Sequence, residues 1–219
     1  MGSSGLEMLG DEALFDRWAA GEPRAGHLLF KRHFDAVLRF FRRQLGDDVH
    51  DLVQTTFLGC VQARERFAHR ATFRTYLFTV ARFQLYKELR RRSRRPDVDF
   101  GVTSVEDLAP SPSRALHERQ ETALLVEALG RLPVEQQLAL YFYYIEDMTA
   151  PEVGDVLECA VPAVRSRLRR GLAGLRHHFA APQPGGPGPV QATLDLWEAS
   201  LPELVAGEPE PGTDDPTNA

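Results

Sequence analysis

Apolar residues recur along this chain at the spacing of helices, in two blocks separated by a Pro-containing interval. The longest unbroken pattern runs from Phe73 to Arg95, FRTYLFTVARFQLYKELRRRSRR, without Gly or Pro. It is long enough for about six helical turns. Phe73, Leu77, Ala81, Leu85 and Leu89 step by four, with Val80 beside them, and predict one apolar face. Thr75, Thr79, Arg82, Phe83, Tyr86 and Arg90 fall on the opposite face. Aromatics interleaved with arginines outside a core cost solubility unless something covers them. Bases stacked on the rings, with arginines on phosphates, would cover them. A long amphipathic helix with a solvated basic end is the structural alternative.

Upstream, Leu14, Phe15 and Trp18 mark a short helix over residues 11–20, broken by Gly21 to Pro23. Leu29, Phe30, His33, Phe34, Val37, Leu38 and Phe41 predict a second helix from His27 to Leu45. Arg39, Arg42 and Arg43 load its C-terminal end favourably, and Gly46 ends it. Asp47 or Asp48 can cap a third helix carrying Val49, Leu52, Val53, Phe57, Leu58 and Val61. Thr72 is the expected cap of the fourth, the long stretch above. Four helices with short loops predict a compact bundle over residues 11–95. Pro96 stops the fourth helix, and residues 96–113, with three Pro and no sustained period, predict a flexible acidic linker.

Downstream, Ser113 can cap a helix from Arg114 to Gly130, and Pro133 opens another from Val134 to Glu146. Thr149-Ala-Pro-Glu152 fits a capping box for a short helix with Val153, Val156 and Leu157. After Glu158-Cys159-Ala160, Val164, Leu168, Leu172, Leu175 and Phe179 predict a helix from Val161 to Phe179. A short helix, a three-residue turn and a basic helix form a helix-turn-helix pattern. It leaves Arg165, Ser166, Arg169 and Arg170 pointing outward near the start of the second helix, where such helices read base edges. Arginine pairs with guanine through two hydrogen bonds, and serine is a short, versatile donor. A helical hairpin with a solvated basic face is the alternative. Residues 181–190 are a Pro/Gly linker, Ala192 to Ala206 an amphipathic segment interrupted by Pro202, and the last dozen residues have the composition of a disordered tail. The expected fold is all-α, with two helical domains (1–95 and 114–180), a linker over 96–113 and a C-terminal extension over 181–219.

Charge alters this picture. The 219-residue chain has a net charge of −5, which by itself argues against binding nucleic acid. Its distribution argues the reverse. Arg64 to Arg95 holds eleven Lys or Arg against two acids, a net of +9, and Cys159 to Leu194 holds five Arg and no acid. The acids gather elsewhere: four in residues 96–113 and seven in residues 195–219, with no base in either segment. Two basic surfaces flanked by acidic segments are the footprint of a nucleic-acid partner. The acidic end could fold back on the Arg-rich helix, or serve as a solubilising tail. No run of 18 apolar residues and no N-terminal apolar segment predicts membrane insertion or a secretory signal. Two cysteines far apart, Cys60 and Cys159, suit a reduced, cytoplasmic setting without a disulfide. His177 and His178 are adjacent on a helix and point apart, so no metal site is expected. No nucleophile elbow, phosphate-binding glycine loop or pair of catalytic carboxylates is found, and no cofactor or small-molecule substrate is expected.

Three motifs in order now carry a resemblance. Asp51-Leu-Val-Gln54-Thr-Thr-Phe57-Leu58 resembles a polymerase-binding segment. Phe73-Arg-Thr-Tyr-Leu-Phe-Thr-Val-Ala-Arg82, with the Leu89-Arg90-Arg-Arg run, resembles a −10 promoter segment. Leu129-Gly-Arg-Leu-Pro133, Thr149-Ala-Pro-Glu152-Val and Val164-Arg165-Ser166-Arg167-Leu168 resemble a −35-reading domain. Together they resemble the extracytoplasmic-function (ECF) sigma factors of bacterial RNA polymerase, over residues 11–95 and 114–179.

The resemblance implies a promoter-specificity subunit without an active site of its own. Its partners would be core RNA polymerase and promoter DNA, with an anti-sigma factor as a candidate third. Asp51, Gln54, Phe57 and Leu58 match polymerase contacts. The connection from Arg66 to Thr72, with Phe67, His69 and Arg70, matches a loop that holds a flipped −10 base. Arg74, Thr79, Arg82, Phe83, Tyr86 and Arg90 continue that −10 surface, and Arg165, Ser166, Arg169 and Arg170 match −35 contacts. The acidic linker matches a segment lying in the RNA exit path. The chain departs from the family pattern at Phe83 and Lys87, often Asn and Asp, at Thr55, often an acid, and at Glu158, usually Gly. Two other readings use the same residues: a helix-turn-helix regulator that does not act through polymerase, and a helical adaptor.

Overall fold

The computed structural model describes residues 3–62, 71–94, 97–108, 125, 127–179 and 189–199. A short α1 (Ser3–Glu7) precedes α2 (Asp11–Ala19), which buries Leu14, Phe15 and Trp18 as its pattern predicts. Helix α3 (Pro23–Leu45) begins a turn before the apolar stripe, because Pro23 sits in the first turn, where its missing N–H is not needed. Gly26 keeps that turn silent in the hydrophobic pattern. The Trp18 indole lies so close that a Cβ at Gly26 would come within 2.4 Å of it. Gly46 closes α3 with φ 85°, a region that side chains resist.

Helices α4 (His50–Gln62) and α5 (Phe73–Ser93) complete the first bundle. The Thr72 hydroxyl caps α5 by accepting from the Thr75 amide. Phe73, Leu77, Ala81, Leu85 and Leu89 are fully buried, as their spacing requires. Phe73 packs among Phe15 and Phe30, and Phe30 against Phe57, with ring centroids 5.0–6.3 Å apart.

Linker residues 97–108 are a packed strap. Phe100 stacks on Tyr86 at 4.1 Å, and the Arg90 guanidinium lies over the Phe100 ring at 4.9 Å. A one-turn helix, α6 (Val105–Leu108), buries both of its end residues. The Val134 amide donates to the Thr103 carbonyl (3.0 Å) and the Glu135 amide to the Phe100 carbonyl (3.1 Å), tying the strap to the next helix. Phe100, Val105 and Leu108 follow no helical period, which is why the pattern does not reveal them as anchors.

Helix α7 (Val134–Leu140) runs into one π-helical turn, Tyr141–Ile145, where the sequence predicts a single α-helix. The wider turn buries the consecutive rings of Tyr141 and Phe142. Helix α8 (Ala150–Leu157) starts with the expected capping box of Thr149 and Glu152. Helix α9 (Val161–Phe179) buries Val164, Leu168, Leu172 and Leu175. The C-terminal α10 (Pro189–Ala199) returns onto α9. Its Leu194 is buried, Trp197 stacks on Tyr144 at 4.5 Å, and Arg176 of α9 bonds to Asp195 (2.9 Å) and Glu198. The predicted continuation to Ala206, and most of the predicted helix from Arg114 to Gly130, lie outside the described residues.

The two halves share a core. Phe142 stacks on Phe40 at 5.6 Å and meets Phe78 edge-on at 5.3 Å, while Tyr141 packs on Phe40 at 5.4 Å. Helix α8 lies along α5.

Candidate nucleic-acid interface

Three surfaces carry the candidate residues. The first is an open groove of about 730 Å³ between α3 and α4. Phe30, Val53 and Phe57 line it, with Gln54 and Leu58 beside them. Phe34, Leu58 and Val61 are 40%, 50% and 44% exposed, an apolar surface left open among the described residues. The Phe34 and Phe57 rings stack across it at 6.3 Å. Asp51 is exposed on α4 but does not line the groove, and its carbonyl accepts from the Thr55 hydroxyl (2.7 Å). Phe34, Lys31 and His50 belong to the groove lining although motif reading passed over them. Phe34 sits on the edge of the α3 stripe, four residues from Phe30, and spacing alone assigns it to the core.

The second surface is the aromatic and arginine face of α5, which the sequence places toward solvent and DNA. The structure covers most of it. Thr75 is buried, and the Thr79 hydroxyl donates to the Thr75 carbonyl (2.9 Å). Arg74 donates to the Glu146 carboxylate (2.8 Å) and carbonyl. Arg82, only 9% exposed, pairs with Glu158 at 2.5 Å. Tyr86 and Arg90 hold Phe100, and burial pushes the Tyr86 phenol up to about 12. Arg91 and Arg92 both bind Glu88, and the hydrogen bond from Arg91 leads in holding that carboxyl below its ordinary range, against burial. Phe83, at 62% exposure, and Arg90 remain exposed on this face. Thr72 is engaged as the α5 cap, while Arg66, Phe67, His69 and Arg70 lie outside the described residues.

The third surface is the start of α9. Arg169 and Arg170 are exposed, Arg165 and Ser166 half-buried, and all four avoid the buried side of the helix. Two unpredicted residues set the turn that aims them. A Cβ on Gly154 would come within 2.8 Å of the Cys159 carbonyl, so this close approach needs glycine. Arg167 donates to Glu135 (2.5 Å) and to the Cys159 sulfur (2.7 Å). The spacing marks Arg167 as one more basic residue; only the fold gives it an inward role. Glu158 takes the left-handed conformation at the turn, φ 52°.

Both cysteines are free. Burial pushes the Cys60 thiol up to about 12, and Cys159 is raised for the same reason, with Arg167 opposing. Among the described residues no group of three His, Cys, Asp or Glu could hold a metal ion, and no helix is long and apolar enough to cross a membrane.

Comparison with known proteins matches both halves of the chain. The family model of Sigma-70 region 2 covers residues 29–95, and that of Sigma-70 region 4 covers residues 122–175. The RNA polymerase sigma factor NccH of Alcaligenes xylosoxydans is 31% identical, over 75% of this chain and 92% of its own length. The ECF RNA polymerase sigma factor SigE of Mycolicibacterium smegmatis is 29% identical, over 82% of this chain and 68% of its own. The structure of CnrH in complex with the cytosolic domain of CnrY aligns with a TM-score of 0.61 and 27% identity, covering 79% of this chain and 99% of that one. With regions 2 and 4 matched in order and a sigma factor 31% identical over most of its length, the chain belongs to the ECF sigma factors, the promoter-recognition subunits of bacterial RNA polymerase.

Proposed function

We propose a division of that role among the three surfaces. The groove between α3 and α4 receives core polymerase, with Gln54, Phe57 and Leu58 as contacts and Asp51 at its margin. Its exposed apolar side chains would be a solubility cost for a chain with no partner there. The α5 face, from Arg74 to Arg90 with the preceding connection, takes the −10 strand. Extruding a base costs a few kcal/mol, and stacking on an exposed ring such as Phe83 recovers part of it. Arg165, Ser166, Arg169 and Arg170 read −35 duplex in the major groove. The chain supplies binding and strand opening, and the polymerase supplies the chemistry. CnrH was solved with a protein partner, CnrY, and an anti-sigma factor is accordingly a candidate partner of this chain.

The observation that carries this reading is the helix-turn-helix itself: a capped α8, a glycine-tight turn, and an α9 that presents four polar residues from its first turns. In vitro transcription with bacterial core polymerase on a promoter library tests it. Arg165→Ala is expected to reduce initiation selectively on promoters that depend on a −35 element, by roughly tenfold, as for one lost bidentate base contact. Leu58→Ala is expected to weaken binding to core polymerase while leaving −35 duplex binding intact. No promoter-dependent initiation by the wild-type chain would refute the division.

A further inference from the structure

Helix α8 is fastened to α5 at both of its ends. Glu146, just ahead of α8, takes Arg74 at 2.8 Å; its carboxylate is 7% exposed and also accepts from the Tyr141 hydroxyl (2.8 Å). Glu158, directly after α8, takes Arg82 at 2.5 Å. Arg74 and Arg82 are eight residues apart, so they stand on one side of α5 with about 12 Å between them. The first helix of the helix-turn-helix therefore lies along the face of α5 assigned above to the −10 strand. The strap extends this cover, with Phe100 on Tyr86 and Arg90.

Glu158 carries a local cost. Its φ of 52° and ψ of 47° are left-handed, a conformation in which glycine sits freely and a side chain does not. Nothing within the turn accounts for a glutamate there. What its carboxylate reaches across the interface does: a guanidinium almost withdrawn from water. A buried charge without its partner is strongly unfavourable.

We propose that Glu146 and Glu158 stand in for DNA phosphates on α5 and hold the chain in a closed form that cannot engage a promoter, with Glu158 as the latch that releases. The proposal rests on the promoter reading above. Elements named −35 and −10 lie about 25 base pairs apart, about 85 Å of B-DNA at 3.4 Å per step. Arg82 and Glu158, from the two units that read them, are in contact. Both elements cannot be held at once until this contact breaks. Breaking it returns Arg82 to the surface where phosphates are to bind, and the opening that follows can free Arg74 from Glu146 as well.

The test uses the full chain, with Glu158→Gly and Glu158→Gln beside the wild type. Glycine suits the left-handed turn, so the helix-turn-helix keeps its fold; glutamine keeps the strain and loses only the charge. Small-angle scattering reads opening as a larger radius of gyration. Fluorescence anisotropy reads affinity for a labelled random single strand of about 20 nucleotides at about 50 mM salt, where phosphate contacts dominate. Both variants are expected to expand and to bind roughly tenfold tighter, as for one or two phosphate contacts regained. Adding Arg82→Ala to Glu158→Gly is expected to abolish the gain. Unchanged dimensions and affinity in both variants would overturn the latch. Transcription with core polymerase separates this failure from that of the promoter reading. A wild-type chain that initiates, beside variants that neither open nor bind tighter, rejects the latch alone; a wild-type chain that never initiates rejects the reading beneath it.

Discussion

Asp11 shows how one side chain joins two helices. It opens α2, and its carboxylate meets the His33 ring (2.6 Å) and the Arg32 guanidinium (3.1 Å) of α3. The His33 hydrogen bond leads in holding the Asp11 carboxyl below its ordinary 3.8, against partial burial. Glu88, with Arg91 and Arg92, is likewise held below its ordinary 4.5. A carboxyl whose folded value is depressed adds stability that is complete above its ordinary value and is lost as pH falls through the folded one. The first bundle is therefore expected to lose stability below about pH 4, as these two carboxylates take up protons. Asp11→Asn and Glu88→Gln should each flatten that acid limb in urea titrations between pH 5 and about pH 3, while remaining less stable than wild type at pH 7. An acid limb identical in both variants would show that these carboxylates carry no linkage.

At the scale of elements, the capping box of α8 is the plainest case of sequence dictating structure. The Thr149 hydroxyl accepts from the Glu152 amide, and the Glu152 carboxylate accepts from the Thr149 amide (2.9 Å). Thr149→Ala is expected to cost about 1 kcal/mol of stability, measured by chemical denaturation. Gly154→Ala is expected to cost more, because the colliding atom is a backbone carbonyl that cannot swing away. The contrast marks what the sequence discloses. Caps, breakers and four-residue steps report local geometry, so α2, α5, α8 and α9 were legible from their own residues, and so was the outward set on α9. The π-turn at Tyr141–Ile145 was not, because its five apolar and aromatic residues fit an α-helical stripe equally well. Neither was the strap, whose anchors Phe100, Val105 and Leu108 gain meaning only from partners elsewhere in the chain. The α5 face was legible in composition but not in exposure, since Arg74 and Arg82 find their acids more than seventy residues away. The charge segregation after Cys159 did foreshadow the return of an acidic helix. Its contact falls on Arg176, near the far end of α9 from Arg165 to Arg170.

At the scale of the whole molecule, Phe142 decides whether the chain behaves as two units or one. Its ring belongs to the helix-turn-helix half, yet it packs against Phe40 of α3 and Phe78 of α5, and all three are fully buried. A buried aromatic removes about 150–250 Å² from water. At about 25 cal/mol per Å², separating the halves re-exposes enough of these rings to cost several kcal/mol before any ion pair is counted. The latch therefore works on a closed form that apolar contact also favours: releasing Glu158 raises the share of open chains, and a partner that covers the uncovered surface completes the opening. This coupling predicts one cooperative unfolding transition for the whole chain, seen as a single calorimetric peak whose van't Hoff and calorimetric enthalpies agree. Phe142→Ala is expected to cost about 3–5 kcal/mol, the usual loss for a buried phenylalanine. It should also split the peak in two, because the first bundle keeps Phe15, Phe30, Phe57 and Phe73 and needs nothing from the second half to hold them together. Two peaks in the wild-type chain would mean that the shared rings do not couple the halves. The ion pairs at Glu146 and Glu158 would then be all that keeps α8 on α5, and opening would need no partner.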